Sequence, residues 1–231
     1  MKKYFFALLI LIQSTLCLAR QDITNQNLFD TTTFMEEHFA SRAALFEKEP
    51  VETGRIIFLG DSITECGEWN KLLGNDEVIN RGISGDVTFG VLKRLDEIII
   101  RRPAKLFIMI GINDIGKDIP DEVIVDNCKK IVKRVQDKTP STRIYLQSIL
   151  PVNPDFPQFP QHYDKEYHVI HTNHLLQAAA KELNCNFINL FPVLMDRQQH
   201  LRMELSTDGL HLNNEGYAVW IKYLRDMGYL N

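Results

Sequence analysis

The sequence predicts an α/β protein, a three-layer α/β/α sandwich on a parallel five-stranded sheet. Three observations carry that expectation. Short apolar, β-branched runs recur along the chain, as buried parallel strands do, and two of them end at a glycine. Segments of helical period lie between them, and this alternation implies βαβ units joined by right-handed crossovers. The 231 residues suit one sizeable core.

Taken in order, Thr31 to Lys48 sets Phe34, Phe39, Ala43 and Phe46 among charges behind a threonine-rich start with Glu36 and Glu37, which predicts a packing helix ahead of the main fold. The first strand is Arg55-Ile56-Ile57-Phe58-Leu59, stopping at Gly60; Glu77-Val78-Ile79-Asn80 is the weakest of the five strand patterns. A helix over Val87 to Ile100 follows, with Leu92, Leu95 and Ile99 in phase, then a strand over Lys105 to Ile110 that stops at Gly111. Asp121 to Lys138 is helical, Arg143 to Leu146 leads as a strand to Ser148, Glu166 to Leu183 is helical, and Asn186 to Leu190 closes the set. A last helix spans Asn213 to Met227, with Tyr217, Trp220, Ile221 and Leu224 on one face. The evenly spaced prolines from Pro151 to Pro160, with Phe156 and Phe159 between them, exclude a helix and predict a rigid loop, either over the mouth of a site or on the surface.

A net charge of −4 provides no basic field, which argues against nucleic acid as a partner. At the start, Lys2 and Lys3 precede an apolar run from Tyr4 to Ile12, and Cys17-Leu18-Ala19 offers small residues at a cut. Residues 1–19 therefore read as an export signal, leaving one domain over 20–231 and a periplasmic or secreted location. A membrane anchor is the competing reading, but the run is shorter than the roughly 20 apolar residues a span needs. A lipid on Cys17 is a third, against which the bulky Leu16 counts. Beyond the signal only Cys66, Cys128 and Cys185 remain, an odd number without a Cys-x-x-Cys pair, so neither a disulfide framework nor a zinc site is expected.

Chemistry gathers just past the strands, where open parallel sheets place their sites. Gly60-Asp61-Ser62-Ile63 follows the first strand, Arg81-Gly82-Ile83-Ser84-Gly85-Asp86 the second, Gly111-Ile112-Asn113-Asp114 the third, and Asp208-Gly209-Leu210-His211 precedes the last helix. A serine hydroxyl is a weak nucleophile that needs a base, and the base needs a third group to orient it. Asp208 and His211, three residues apart, can share one turn, and the glycine-rich and asparagine-bearing turns can offer N–H donors to an oxyanion.

These blocks, in this order, resemble the SGNH hydrolases, also called GDSL-type esterases and lipases. The resemblance runs from Arg55 to Met227 and implies a flavodoxin-like sheet, Ser62 as nucleophile, His211 as its base, Asp208 as the orienting carboxylate, and an oxyanion hole of the Ser62 and Gly85 N–H groups with the Asn113 amide. Ile63 stands where the name-giving motif has leucine. Asn80 to Leu95 with Gly111 to Ile115 is most similar to the branch that holds platelet-activating-factor acetylhydrolase catalytic subunits and bacterial carbohydrate acetylesterases, which implies a small acyl group, usually acetyl. No cofactor or metal is called for, so activity is expected to survive a chelator and to vanish in Ser62→Ala.

Trp69 and Arg81 are further candidates for substrate binding: Trp69 either lines the pocket together with Cys66 or packs the core, and Arg81 either meets an anionic substrate or bonds backbone carbonyls. His168, His171 and His174 recur at three-residue steps without a carboxylate or thiolate in the pattern, which favours solvated or hydrogen-bonded rings over a metal face. Asp61 and Asp114 are expected to brace loops. The function expected is an esterase removing acetyl groups from a carbohydrate, an acetylated sialic acid among the options. The alternatives are a lipid-directed lysophospholipase, thioesterase or phospholipid acetylhydrolase, and a carbohydrate-binding module that has lost its chemistry, against which the full set of side chains counts.

Overall fold

The five apolar runs all become strands. In the computed structural model, which describes residues 29–230 except 76 and 157, they are β1 Ile56–Gly60, β2 Val78–Gly82, β3 Lys105–Met109, β4 Arg143–Gln147 and β5 Asn186–Ile188. The expected export signal over residues 1–19 lies outside the described residues. Every pairing is parallel, and the strand order is β2-β1-β3-β4-β5. The fold is the unit Thr32–Asn231.

The helices are α1 Glu36–Lys48, α2 Ser62–Glu65, α3 Trp69–Leu73, α4 Thr88–Lys93, α5 Leu95–Ile100, α6 Ile112–Gly116, α7 Asp121–Lys138, α8 Glu166–Glu182, α9 Phe191–Leu194 and α10 Asn214–Asp226. Helix α7 packs on α4 and α8, while α3 packs on α10. Because β1 is flanked by β2 on one side and β3 on the other, the crossovers leave it in opposite directions. The carboxyl ends of β1 and β3 therefore border the crevice where doubly wound sheets hold their ligands.

One face of the sheet carries an aromatic row set by register. Phe58 aligns with Phe107, and Phe107 with Tyr145; their rings stack at 4.7 and 4.6 Å. Trp69 stacks on Phe58 at 3.9 Å, and Trp220 meets Trp69 edge-on at 5.0 Å. Offset and edge-on pairs of this kind add to the burial of large rings. The row clamps α3 and α10 to β1.

The single helix expected over Val87 to Ile100 is two, α4 and α5, broken at Arg94, whose φ is −104° and ψ 10°. The break coincides with a buried guanidinium fixed on three acceptors: the Asp86 carboxylate at 2.9 Å, Arg81 O at 2.9 Å and Gly60 O at 3.0 Å. Strand β2, the weakest of the patterns, runs fully alongside β1, because Asn80 turns its amide to the carbonyls of Thr64, Glu65 and Gly67 instead of to solvent.

Candidate active site

Ser62 opens α2 directly beyond β1. Asp61, just before it, accepts the Ile63 N–H at 3.0 Å, the cap that an Asp at this position supplies. Burial pushes the Asp61 carboxyl up to about 7. From the far side, Tyr217 of α10 donates its hydroxyl to Ile63 O at 2.7 Å, so the Ser62 turn is pinned at both ends.

The Ser62 hydroxyl lies 2.9 Å from His211 Nε2, and His211 Nδ1 lies 2.8 Å from Asp208 Oδ2. The other Asp208 oxygen accepts the N–H groups of Leu210 and His211 at 3.0 and 2.8 Å. Burial acts to raise the Asp208 carboxyl, but those donors and the His211 side chain outweigh it and hold it below the usual aspartate range. Gly209 completes the turn with φ at +85°, where a Cβ would stand 2.5 Å from Asn153 O. The Ser206 hydroxyl closes the loop from below, donating to His211 O and accepting from Gly209 N.

Gly85 and Asn113 share a cleft of about 590 Å³ with Ser62, Asp208 and His211. Gly85 adopts φ of +76°, a conformation that favours glycine, and its carbonyl accepts the Phe34 N–H at 2.9 Å. Glu65, one turn after Ser62, accepts both the N–H and the hydroxyl of Ser84 at 2.6 and 2.7 Å. Partial burial acts to raise Glu65, yet hydrogen bonds from His38 and Ser84 and the Arg42 charge hold it below the usual glutamate range. Asn113 donates its amide to Asp86 O at 2.9 Å, and its Oδ1 lies 3.2 Å from His162 Nε2. Beneath it Asp114 accepts from the Thr88 N–H and hydroxyl, while burial pushes its carboxyl up to about 7. Asp61 thus braces its own turn, while Asp114 ties the turn after β3 to the start of α4.

The structure does not bring Trp69 or Arg81 to the cleft. Trp69 is 2% exposed in the aromatic row, with its indole N–H donated to Thr64 O at 2.9 Å. Arg81 is held by Glu97 at 3.1 Å and Glu49 at 2.5 Å, with its guanidinium over the Phe46 ring. Neither lines the cleft, and each is hydrogen-bonded where it packs. His168 and His171 both meet the Asp121 carboxylate, at 3.1 and 2.7 Å, and among the described residues no group of three or more His, Cys, Asp or Glu side chains could hold a metal. Cys66, Cys128 and Cys185 are free thiols.

Four contributors escaped the sequence reading: Phe34 and Met35, which line the cleft ahead of α1, Glu65, and His162, which ends a short 3-10 turn over Pro160–His162. Phe159 and His162 bring the proline-rich segment to the cleft, and Phe159 meets the His211 ring edge-on at 5.2 Å. No motif marks these positions. Only the acidic Glu65, one helical turn after Ser62, offered a signal. No helix among the described residues is long and apolar enough to cross a membrane.

The model of the GDSL-like Lipase/Acylhydrolase family matches residues 58–219. A solved structure from Streptococcus pneumonia that carries a platelet activating factor designation is 33% identical with a TM-score of 0.74, covering 93% of this chain and 99% of that one. Platelet-activating factor acetylhydrolase IB subunit alpha1 of Homo sapiens is 28% identical over 201 residues, 84% of this chain and 82% of its own. An N-acylneuraminate cytidylyltransferase of Escherichia coli is 30% identical over 169 residues, 71% of this chain but only 38% of that protein.

Proposed function

Since the chain belongs to the GDSL-like lipase and acylhydrolase family and is an esterase-type hydrolase, we propose that it works as a serine esterase on short acyl, chiefly acetyl, esters of a carbohydrate, with an O-acetylated sialic acid as the favoured substrate. The observation that carries the mechanism is the relay from Ser62 Oγ to His211 Nε2 at 2.9 Å and on to Asp208 at 2.8 Å. His211 takes the proton as Ser62 attacks the ester carbonyl. The tetrahedral oxyanion is met by the N–H groups of Ser62 and Gly85 and by the Asn113 amide. His211 then protonates the departing alcohol, and water, deprotonated by the same ring, releases the acyl group from Ser62. Asp208, held ionised by its donors, selects the tautomer with the proton on Nδ1 and offsets the imidazolium charge.

The sugar reading draws on the Escherichia coli relative, a protein named for N-acylneuraminate, part of which is similar to most of this chain. It also draws on the expected export signal, since glycans lie outside the cytoplasm. A lipid ester is the second reading, and one feature favours it: Phe34 and Met35 at the cleft are 41% and 49% exposed, an apolar lip that an acyl chain could cover.

Rates on acetyl, butyryl and octanoyl esters beside O-acetylated sialic acid separate the two. Acetyl preference with turnover of the sugar is expected; a rise towards octanoyl replaces this reading with the lipid one. A fluorophosphonate probe should label Ser62, and Ser62→Ala should lose the label and a factor on the order of 10⁴–10⁶ in kcat. Retained turnover in that variant would falsify the mechanism. Amino-terminal sequencing of the exported protein should begin at residue 20.

A further inference from the structure

We propose that His162 is a positioning residue for Asn113: by donating Nε2–H to Asn113 Oδ1 it holds the amide with its NH2 turned to the oxyanion. The inference rests on the reading of Asn113 as an oxyanion donor. The two ends of an asparagine amide are nearly the same size and opposite in hydrogen-bonding sense, so a site that uses the NH2 must specify the flip. Here it is specified from both ends. Asp86 O, which can only accept, takes one Nδ2 hydrogen at 2.9 Å, and His162 Nε2 stands 3.2 Å from Oδ1, which can only accept. The other Nδ2 hydrogen is thereby left for the cleft.

The tautomer follows from the same contacts. Nε2 must carry the proton, and His162 Nδ1 is buried without a partner, so a doubly protonated ring would bury an N–H with no acceptor. Burial, with Lys165 and His211 nearby, accordingly pushes His162 down to about 4. Room for the ring is also built in: a Cβ on Gly116 would lie 2.8 Å from His162 Nε2. Phe34 and Phe159 pack the ring at 5.9 and 6.1 Å. The loop beyond β4 thus supplies a support that none of the four sequence blocks contains.

A double-mutant cycle tests this, read as kcat and KM on an acetyl ester. Asn113→Ala should cost on the order of 10²–10³ in kcat. His162→Phe, similar in size but without the donor, should lower kcat about 10- to 100-fold and move KM less than about twofold, because the lost interaction is realised in the transition state. In the Asn113→Ala background the same change should cost less than about twofold, since its effect passes through the amide. His162→Gln, whose Nε2 can reach the same oxygen, should recover most of the rate. An equal penalty in both backgrounds, or a Gln variant as impaired as Phe, overturns the proposal. If the Phe variant does not fold, as read by thermal melting, His162→Asn replaces it in the cycle, because its amide ends short of Oδ1. If the wild-type enzyme itself is not labelled at Ser62 by a fluorophosphonate, the serine mechanism fails and this proposal falls with it; labelling with additive penalties sinks this proposal alone.

Discussion

The two halves of the cleft are built in opposite ways. On the base side, Asp208 and His211 sit in one turn, and a single carboxylate both shapes that turn, through the Leu210 and His211 N–H groups, and orients the imidazole. On the side proposed to meet the oxyanion, Gly85 and Asn113 come from turns after different strands, and their supports come from elsewhere again: Glu65 and Phe34 for the Ser84-Gly85 turn, Asp86 and His162 for Asn113. Local construction makes geometry depend on a few residues within hydrogen-bond reach of each other. Distributed construction makes it depend on the tertiary fold, and damage there should be partial where damage to the base side is near total.

Asp208→Asn attacks that contrast where the effect should be largest. The remaining side-chain oxygen can still accept from Leu210 and His211, so the turn should survive, while an NH2 now faces His211 Nδ1 and imposes the wrong tautomer. A fall of about 10⁴ in kcat with an unchanged far-ultraviolet spectrum and melting temperature is expected. Loss of the fold along with the rate would mean that shaping and orienting cannot be separated at this carboxylate.

A smaller loss is expected from Glu65→Gln. Both Ser84 donors go to one Glu65 oxygen, Oε2, while Oε1 faces His38 and Arg42, so the Gln amide must turn its NH2 either on the Ser84 donors or on the Arg42 guanidinium, and the Gly85 N–H loses its fixed aim. About a tenfold drop in kcat with KM unchanged should result, measured on the same acetyl ester. No change would mean that the Phe34 contact to Gly85 O is sufficient to hold this turn by itself.

The same contrast explains what the sequence could and could not disclose. The candidates Ser62, Asp208 and His211 could be picked out because Ser62 directly follows a strand and Asp208 and His211 lie three residues apart, features a one-dimensional pattern records, although 149 positions separate Ser62 from His211. Gly85 and Asn113 were legible only through ordered blocks that resemble a family. The strands were readable from buried β-branched runs, whereas the break at Arg94 was not, since it coincides with acceptors on two neighbouring strands. His162 and Glu65 act across 49 and 19 positions of sequence, on Asn113 and Ser84 respectively, and no periodicity reports such a contact. Trp69 and Arg81 lie close in sequence to the site blocks but turn away in space: proximity to a motif says nothing about which side of a strand a side chain leaves.

Arg81 therefore supplies the mildest prediction for activity and the sharpest control. It precedes Gly82 on β2 and lies as near in sequence to Gly85 as any support, yet its guanidinium faces Glu49 and Glu97 on the other side of the strand. Arg81→Met should leave kcat and KM within about twofold of wild type while lowering the urea unfolding free energy by about 3 kcal/mol, the order expected when one partner of a buried ion pair is removed. Glu97 keeps Arg101 at 2.5 Å, which limits the damage to the pair itself. A large rise in KM on an anionic sugar ester, with stability intact, would instead bring Arg81 into the cleft and erase the distinction between supports of the Gly85 turn and packing that merely borders it.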